Sequence, residues 1–415
     1  MSALIRVFIV ITALLAVAAA QAQTPKPAAQ YLMSVSTDSM AVPGMAGAGG
    51  GLEGMVGSMA MRGMGMGGGP QRSIWLDLLG PGTPPSPAAE HLIPPGLKMG
   101  PSLPLLTPAP GKGGTPSGEA EREDIRILFY WGCGDTIGPG QPKVLDTAKM
   151  SAEDYGQVPV SRRGSSVVRL GPRKGWTYGE WPNREKMIQV PGDGSLQGDH
   201  LIKGSYTPDI KFSLDQRRDF MEPVAFTKSE GGLADAIRLE WRSIPNATGY
   251  FMMATGGSEG KKEIVMWNSS EVQEMGGGLM NYVSPGTVQK YIKDKVVLAP
   301  GVTRCTIPKG IFKGTDGAML MFIAYGEEAN FAQPPKPADP KAPWNPIWTA
   351  KVRLKSTGML PLGMEAGDMA GGRGTEKGDV SKKKDSGKAQ TEPEAADPVK
   401  DVVEGAKKLK GLFGF

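Results

Sequence analysis

The chain is short of the residues from which most metal centres and many active sites are assembled. Its 415 residues include only two histidines, His91 and His200, and two cysteines, Cys133 and Cys305. The common zinc sites need three or four such ligands unless carboxylates take their place, so they are excluded. Histidine-based acid–base chemistry has little material. An excess of one charge is missing too: 47 basic residues face 42 acidic ones, for a formal net charge of +5. A balance that close creates no broad basic field, and nucleic acid is not expected as a partner. Beyond the first two dozen residues no apolar run approaches the roughly 20 residues of a membrane-spanning helix.

What is abundant is glycine, 59 residues, and proline, 36. Together they approach the level of low-complexity sequence, and because they cluster, they divide the chain into ordered and unstructured stretches. Residues 1–22 read as a signal peptide: Arg6 supplies the positive start, Val7 to Ala19 the apolar stretch, and Ala20-Gln21-Ala22 a small-x-small cleavage site. The mature protein is expected to begin at Gln23 and to reside in the periplasm or cell envelope.

Residues 23–123 read as a low-complexity Gly/Met- and Pro-rich region carrying one or two strands, at 31–39 (YLMSVSTDS) and 72–79 (RSIWLDLL). Proline and glycine recur through 80–120, where an extended polyproline-like connection is expected. A β-rich domain over 124–222 opens with the apolar run IRILFYW, with further strands expected at 166–170, 186–190 and 209–214. Over 224–356 strands are expected at 236–241, 249–254, 263–268, 295–298, 302–307, 318–325 and 348–354. One helix over 287–293 interrupts them, with Ser284 as its cap and Pro285 as its first residue. The fold class is therefore all-β, two β-rich domains with long disordered segments.

LEWRSIPNATGY at 239–250 resembles the B-to-C strand pattern of fibronectin type III-like domains, with Trp241, Pro245 and Tyr250 at the family's positions and Leu320-Phe322-Ala324 similar to its strand F. The resemblance implies that the second domain is a sandwich. FYWGCGDTIGPGQPK at 129–143 is similar to uncharacterised exported proteins of proteobacteria, which implies no activity.

Residues 357–397, rich in lysine and glutamate, read as a disordered linker. In 398–415, apolar residues recur at three- and four-residue spacing, the mark of an amphipathic helix that would lie on a membrane surface or a protein partner.

The candidate sites are few. Two cysteines alone in an exported chain suggest a Cys133–Cys305 disulfide joining the domains; two separate buried thiols are the alternative. Met59, Met61, Met64 and Met66 offer soft thioethers that would suit Cu(I), or simply decorate a flexible segment. Trp176, Tyr178 and Trp181, beside Glu180, would form either a sugar-binding face or buried core. For an envelope hydrolase the tempting residues are Cys133, Asp135 and His200, which match no catalytic motif. No cofactor is implied and no catalytic residue is assigned. The resulting expectation is a non-catalytic binding or structural protein of the envelope whose ligand is an unknown envelope component. Cu(I) handling, hydrolysis and carbohydrate binding are the alternatives.

Overall fold

A computed structural model describes residues 28–41, 69–108, 125–150, 161–162, 169–182, 189–258, 260, 262–339 and 341–363. The signal peptide expected over 1–22, Met59, Met61, Met64, Met66 and the helix expected at 398–415 lie outside the described residues. So do the linker beyond Gly363 and most of the strands expected at 166–170 and 186–190.

Among the described residues there are sixteen strands and one α-helix, so the protein is mostly β-sheet. The strands are β1 (Ala29–Met40), β2 (Gln71–Gly80), β3 (Ala89–Leu92), β4 (Ser102–Pro104), β5 (Arg126–Trp131), β6 (Lys143–Asp146), β7 (Thr177–Trp181) and β8 (Gly198–Gly204). They continue with β9 (Thr207–Leu214), β10 (Phe226–Glu230), β11 (Ile237–Trp241), β12 (Gly249–Gly257), β13 (Glu263–Asn268), β14 (Arg304–Ile307), β15 (Gly317–Gln333) and β16 (Trp348–Leu362). The helix is α1 (Pro285–Lys293). No helix among these residues is long and apolar enough to cross a membrane.

Nine strands form one sheet in the order β6-β5-β13-β12-β15-β16-β1-β2-β7, and two smaller sheets, β10-β11-β14 and β4-β3-β8-β9, complete the fold. In β15 the apolar residues split by parity. Leu320, Phe322 and Ala324 point to one face, while Met321, Ile323 and Tyr325 point to the other. Both faces are covered there, which is why the strand reads as a nearly unbroken apolar run.

The first face carries both small sheets. Phe322 meets Phe226 of β10 and Trp241 of β11 edge-on, and Tyr31 of β1 packs on Phe212 of β9 and His91 of β3. The second face, across β5, β13, β12 and β15, is covered by α1 and its flanking loops, with Val288, Val296 and Val297 in the packing. Ser284 caps α1, accepting from the Thr287 N–H at 3.4 Å, and Pro285 is its first residue, as the sequence predicts. The helix sits close because Gly249 has no side chain: a Cβ there would lie 2.9 Å from both Val288 and Val297.

The large sheet crosses the 222–224 boundary expected from the sequence, since β5, β6 and β7 join β12, β13, β15 and β16 in it. It also takes two strands from the segment read as low-complexity. β1 is an interior strand, parallel to β16 on one side and antiparallel to β2 on the other. Its neighbours bury its serines as well as its apolar residues, so its polar composition hid its position.

The polyproline-like connection expected over 80–120 gives way to β3 and β4, which pair with each other while β3 pairs with β8. They are short enough to fit between prolines, and Pro104 ends β4, where a missing N–H costs least. No strand forms at 295–298: the N–H groups of Val296 and Val297 turn back to the Tyr291 carbonyl and finish the helix, leaving one bridge from Leu298 to Tyr250. β16 runs on to Leu362, into the stretch expected to be linker.

Candidate functional site

Three places gather polar or aromatic side chains. Both histidines lie in the core. The His200 Nε2 is 2.7 Å from the Leu196 carbonyl, which can only accept, so that nitrogen carries the proton. His200 Nδ1 then accepts from His91 Nε2 at 2.9 Å, and His91 Nδ1 accepts from the Tyr31 hydroxyl at 2.9 Å. This single direction leaves both rings neutral. Burial, and then the neighbouring His200, holds His91 far below the ordinary imidazole range. His200 is lowered by burial, against the opposing pull of the Leu196 carbonyl and the Asp199 charge. His91 is 0% exposed and His200 1%, so neither faces a pocket.

The second place is a buried polar stripe on the face of the large sheet away from the small sheets. The Arg169 guanidinium donates to Asp77 at 2.6 Å and 3.2 Å and lies 3.4 Å from Glu180. Tyr178 shares its hydroxyl proton between Asp77, at 2.7 Å, and Glu180, at 2.9 Å. Burial first, then the Asp77 hydrogen bond and charge, push the Tyr178 phenol far up. Along the stripe the Arg353 Nε donates to Ser34 at 2.8 Å, and its guanidinium lies 4.2 Å from the centre of the Tyr282 ring. Thr357 donates to Asp38 at 2.6 Å. Tyr178 and Asp77 tie β7 to β2, the Arg353 and Thr357 bonds tie β16 to β1, and the Ser36 and Ser73 hydroxyls, 2.6 Å apart, join the two pairs.

The aromatic trio read from the sequence divides between these layers. Tyr178 and Trp181, both in β7, pair with Leu79 and Leu76 and so point to opposite faces, and both are buried. Trp176 is half-buried with the Arg173 guanidinium 5.0 Å above its ring. They form no common platform. Cys133 and Cys305 are disulfide-bonded, with Cα atoms 5.2 Å apart. Asp135 is exposed, and its carbonyl accepts from the Lys309 N–H. Cys133 and His200 are therefore each engaged with a different partner. Among the described residues no three His, Cys, Asp or Glu side chains gather in a metal-binding group.

The third place is open to solvent. A groove of about 770 Å³ runs between the edge strand β9 and the β15–β16 hairpin. The connection between β15 and β16 adds Pro335, Lys336 and Trp344 to its lining, and the Trp344 indole N–H donates to the Pro334 carbonyl at 3.1 Å. Phe331 supplies a second, half-buried ring, fixed by stacking on Phe212 at 5.0 Å, while Trp348 touches the lining but is buried in the core. Asp209 and Lys211 project from β9, and Lys336 from that connection. Glu328 holds Asn330 at 3.1 Å and Lys351 at 2.8 Å, so this part of the rim is preset.

A smaller cleft of about 340 Å³ adjoins the disulfide. Its Gln141 amide is spent on both backbone groups of Trp131, at 2.8 Å and 3.0 Å. The larger groove, lined by both aromatic and polar side chains, has the composition of a ligand site.

Sequence reasoning missed this groove because β9 and the hairpin lie more than a hundred residues apart. The signal that could have pointed to it is WNPIW at 344–348, two tryptophans in a proline-rich turn.

No protein-family model matches the chain, and no curated protein is significantly similar to it.

Proposed function

We propose that this is an exported protein of the cell envelope with a non-catalytic binding role, and that the groove between β9 and the β15–β16 hairpin holds its ligand. The groove carries the reading: the half-buried rings of Phe331 and Trp344 and the polar Asn330 and Lys351, preset by Glu328, line an open site, whereas both histidines and both cysteines are committed elsewhere. Export is supported by the signal-like residues 1–22 and by the disulfide, a bond that persists in oxidising compartments.

The fibronectin type III-like reading of 224–356 belongs to the same proposal. It is supported by β10-β11-β14 facing β13-β12-β15-β16, and by Trp241 packed edge-on against Tyr250 and Phe322.

Expression of the full chain in a Gram-negative host tests both parts. Mass spectrometry should find the protein starting at Gln23, and part of it should sediment with envelopes. Trp344→Ala should shift that part to the soluble periplasmic fraction, and the tail at 398–415 is common to both chains. A retained leader would overturn export, and unchanged sedimentation would overturn the groove as the binding site.

A further inference from the structure

We propose that the groove ligand is an acidic glycan, a chain of pyranose rings bearing carboxylates. This deepens the binding role proposed above and rests on it.

The lining holds the half-buried rings of Phe331 and Trp344, yet also Asp209, Lys211, Asn330 and Lys336, polar groups that an apolar ligand would leave idle. A pyranose ring meets both demands at once. Its C–H face lies flat on an aromatic ring, and its hydroxyls project sideways to donors and acceptors. Trp344 and Phe331 supply such rings, and Trp344 is oriented by its bond to Pro334. Asp209 can accept from ring hydroxyls. Asn330, whose amide nitrogen is occupied by Glu328, keeps its carbonyl oxygen as an acceptor.

Charge selects among sugars. Lys351 is paired with Glu328, but Lys211 and Lys336 have no ion-pair partner among the described residues, and only Asp209 opposes them on the lining. Two free ammonium groups against one carboxylate favour an anionic ligand, and ammonium–carboxylate hydrogen bonds are stronger than neutral ones. The volume lies in the range of sites that enclose small ligands, which suits a short stretch of glycan.

A proline-rich peptide is the other occupant that aromatic grooves accept. Its backbone carbonyls could accept from the lysines, but with few donors and no negative charge it would leave Asp209 unanswered and the lysine charges unneutralised.

Calorimetric titration of the full mature chain separates these cases, using tetragalacturonate, cellotetraose and a decaproline peptide as probes. Tetragalacturonate should bind about tenfold more tightly than cellotetraose, and more weakly as salt rises. Trp344→Ala should weaken it about tenfold. Lys336→Gln, an exposed change that leaves packing intact, should weaken it several-fold and flatten the salt dependence. Equal binding of the two sugars, or no effect of Lys336→Gln, would overturn the acidic preference. Binding of decaproline alone, or of none of the probes, would overturn the glycan. If envelope sedimentation still depends on Trp344 in that case, the binding role stands and only the ligand class falls; if it does not, the binding role falls first.

Discussion

Deep in the core His91 and His200 lie ring beside ring, their centroids 5.0 Å apart, with Phe212 stacked on His200 at the same distance. The charges acting on the set are the His91–His200 repulsion, Asp199 beside His200 and Asp77 acting on Tyr31. In the unfolded chain each imidazole protonates near its ordinary value of about 6.5. In the folded chain burial opposes that proton, so the unfolded state binds more protons in acid. The stabilisation is therefore complete above about pH 6.5 and declines as the pH falls toward the lowered folded-state values. The limiting slope is about 1.4 kcal/mol per pH unit for each histidine. Denaturant unfolding at pH 7.5, 6.5 and 5.5 measures it. A His91→Gln/His200→Gln variant should be weaker than the parent at pH 7.5 but lose less on acidification; parallel losses would mean the histidines do not carry the effect. That these were the chain's two histidines was legible from the sequence. That they meet was not, because 109 residues separate them and neither lies in a recognisable motif. Tyr178 posed the opposite difficulty. An aromatic residue beside Glu180 suits a sugar platform, and only the buried Asp77 on the neighbouring strand shows why the phenol turns inward.

Where local chemistry decides an element, the sequence was readable. Ser284 and Pro285 start α1 at the expected residue, and the alternation of β9 marks a strand with one buried face. Where a partner decides, it was not: TYGEW becomes β7 only because β2 lies beside it, and AEHL becomes β3 only between β4 and β8. The disulfide shows both sides of this. Its pairing followed from cysteine count and the oxidising compartment expected, and it touches the large sheet that runs across the expected 222–224 boundary. It joins the loop after β5, in the large sheet, to β14 in the sheet packed upon it. The Gly134 N–H donating to the Thr306 carbonyl at 2.8 Å reinforces the same seam. For a closed loop of this size the chain-entropy model gives an upper contribution of about 5 kcal/mol. A Cys133→Ser/Cys305→Ser chain should unfold at lower denaturant, by up to that amount, and should still bind the groove ligand, since the two lie apart. Equal midpoints with and without the bond would show that strain or residual structure cancels it.

At the scale of the whole molecule, the large sheet makes the expected 224–356 domain incomplete by itself. Without β5 and β1, the outer edges of β13 and β16 would be unpaired, and Cys305 would lack its partner. A fragment spanning 224–363 should accordingly show no cooperative unfolding by circular dichroism, whereas the full chain should; a sharp transition in the fragment would restore the two-domain division. The connection at 221–225, between the two small sheets, ties the halves further. Thr37 donates to the Met221 carbonyl at 2.8 Å, and Val224 lies so near Gly358 that a Cβ there would approach its own Cβ to 2.8 Å. The parallel pairing of β1 with β16 also bears on time. Ser34 and Arg353, bonded across it, are 319 residues apart. The seam between β1 and β16 therefore cannot close until almost the whole described chain has been synthesised, and contacts of such long range make folding slow. A nascent chain that stays open this long is one that can still be threaded, as the export proposed above would require.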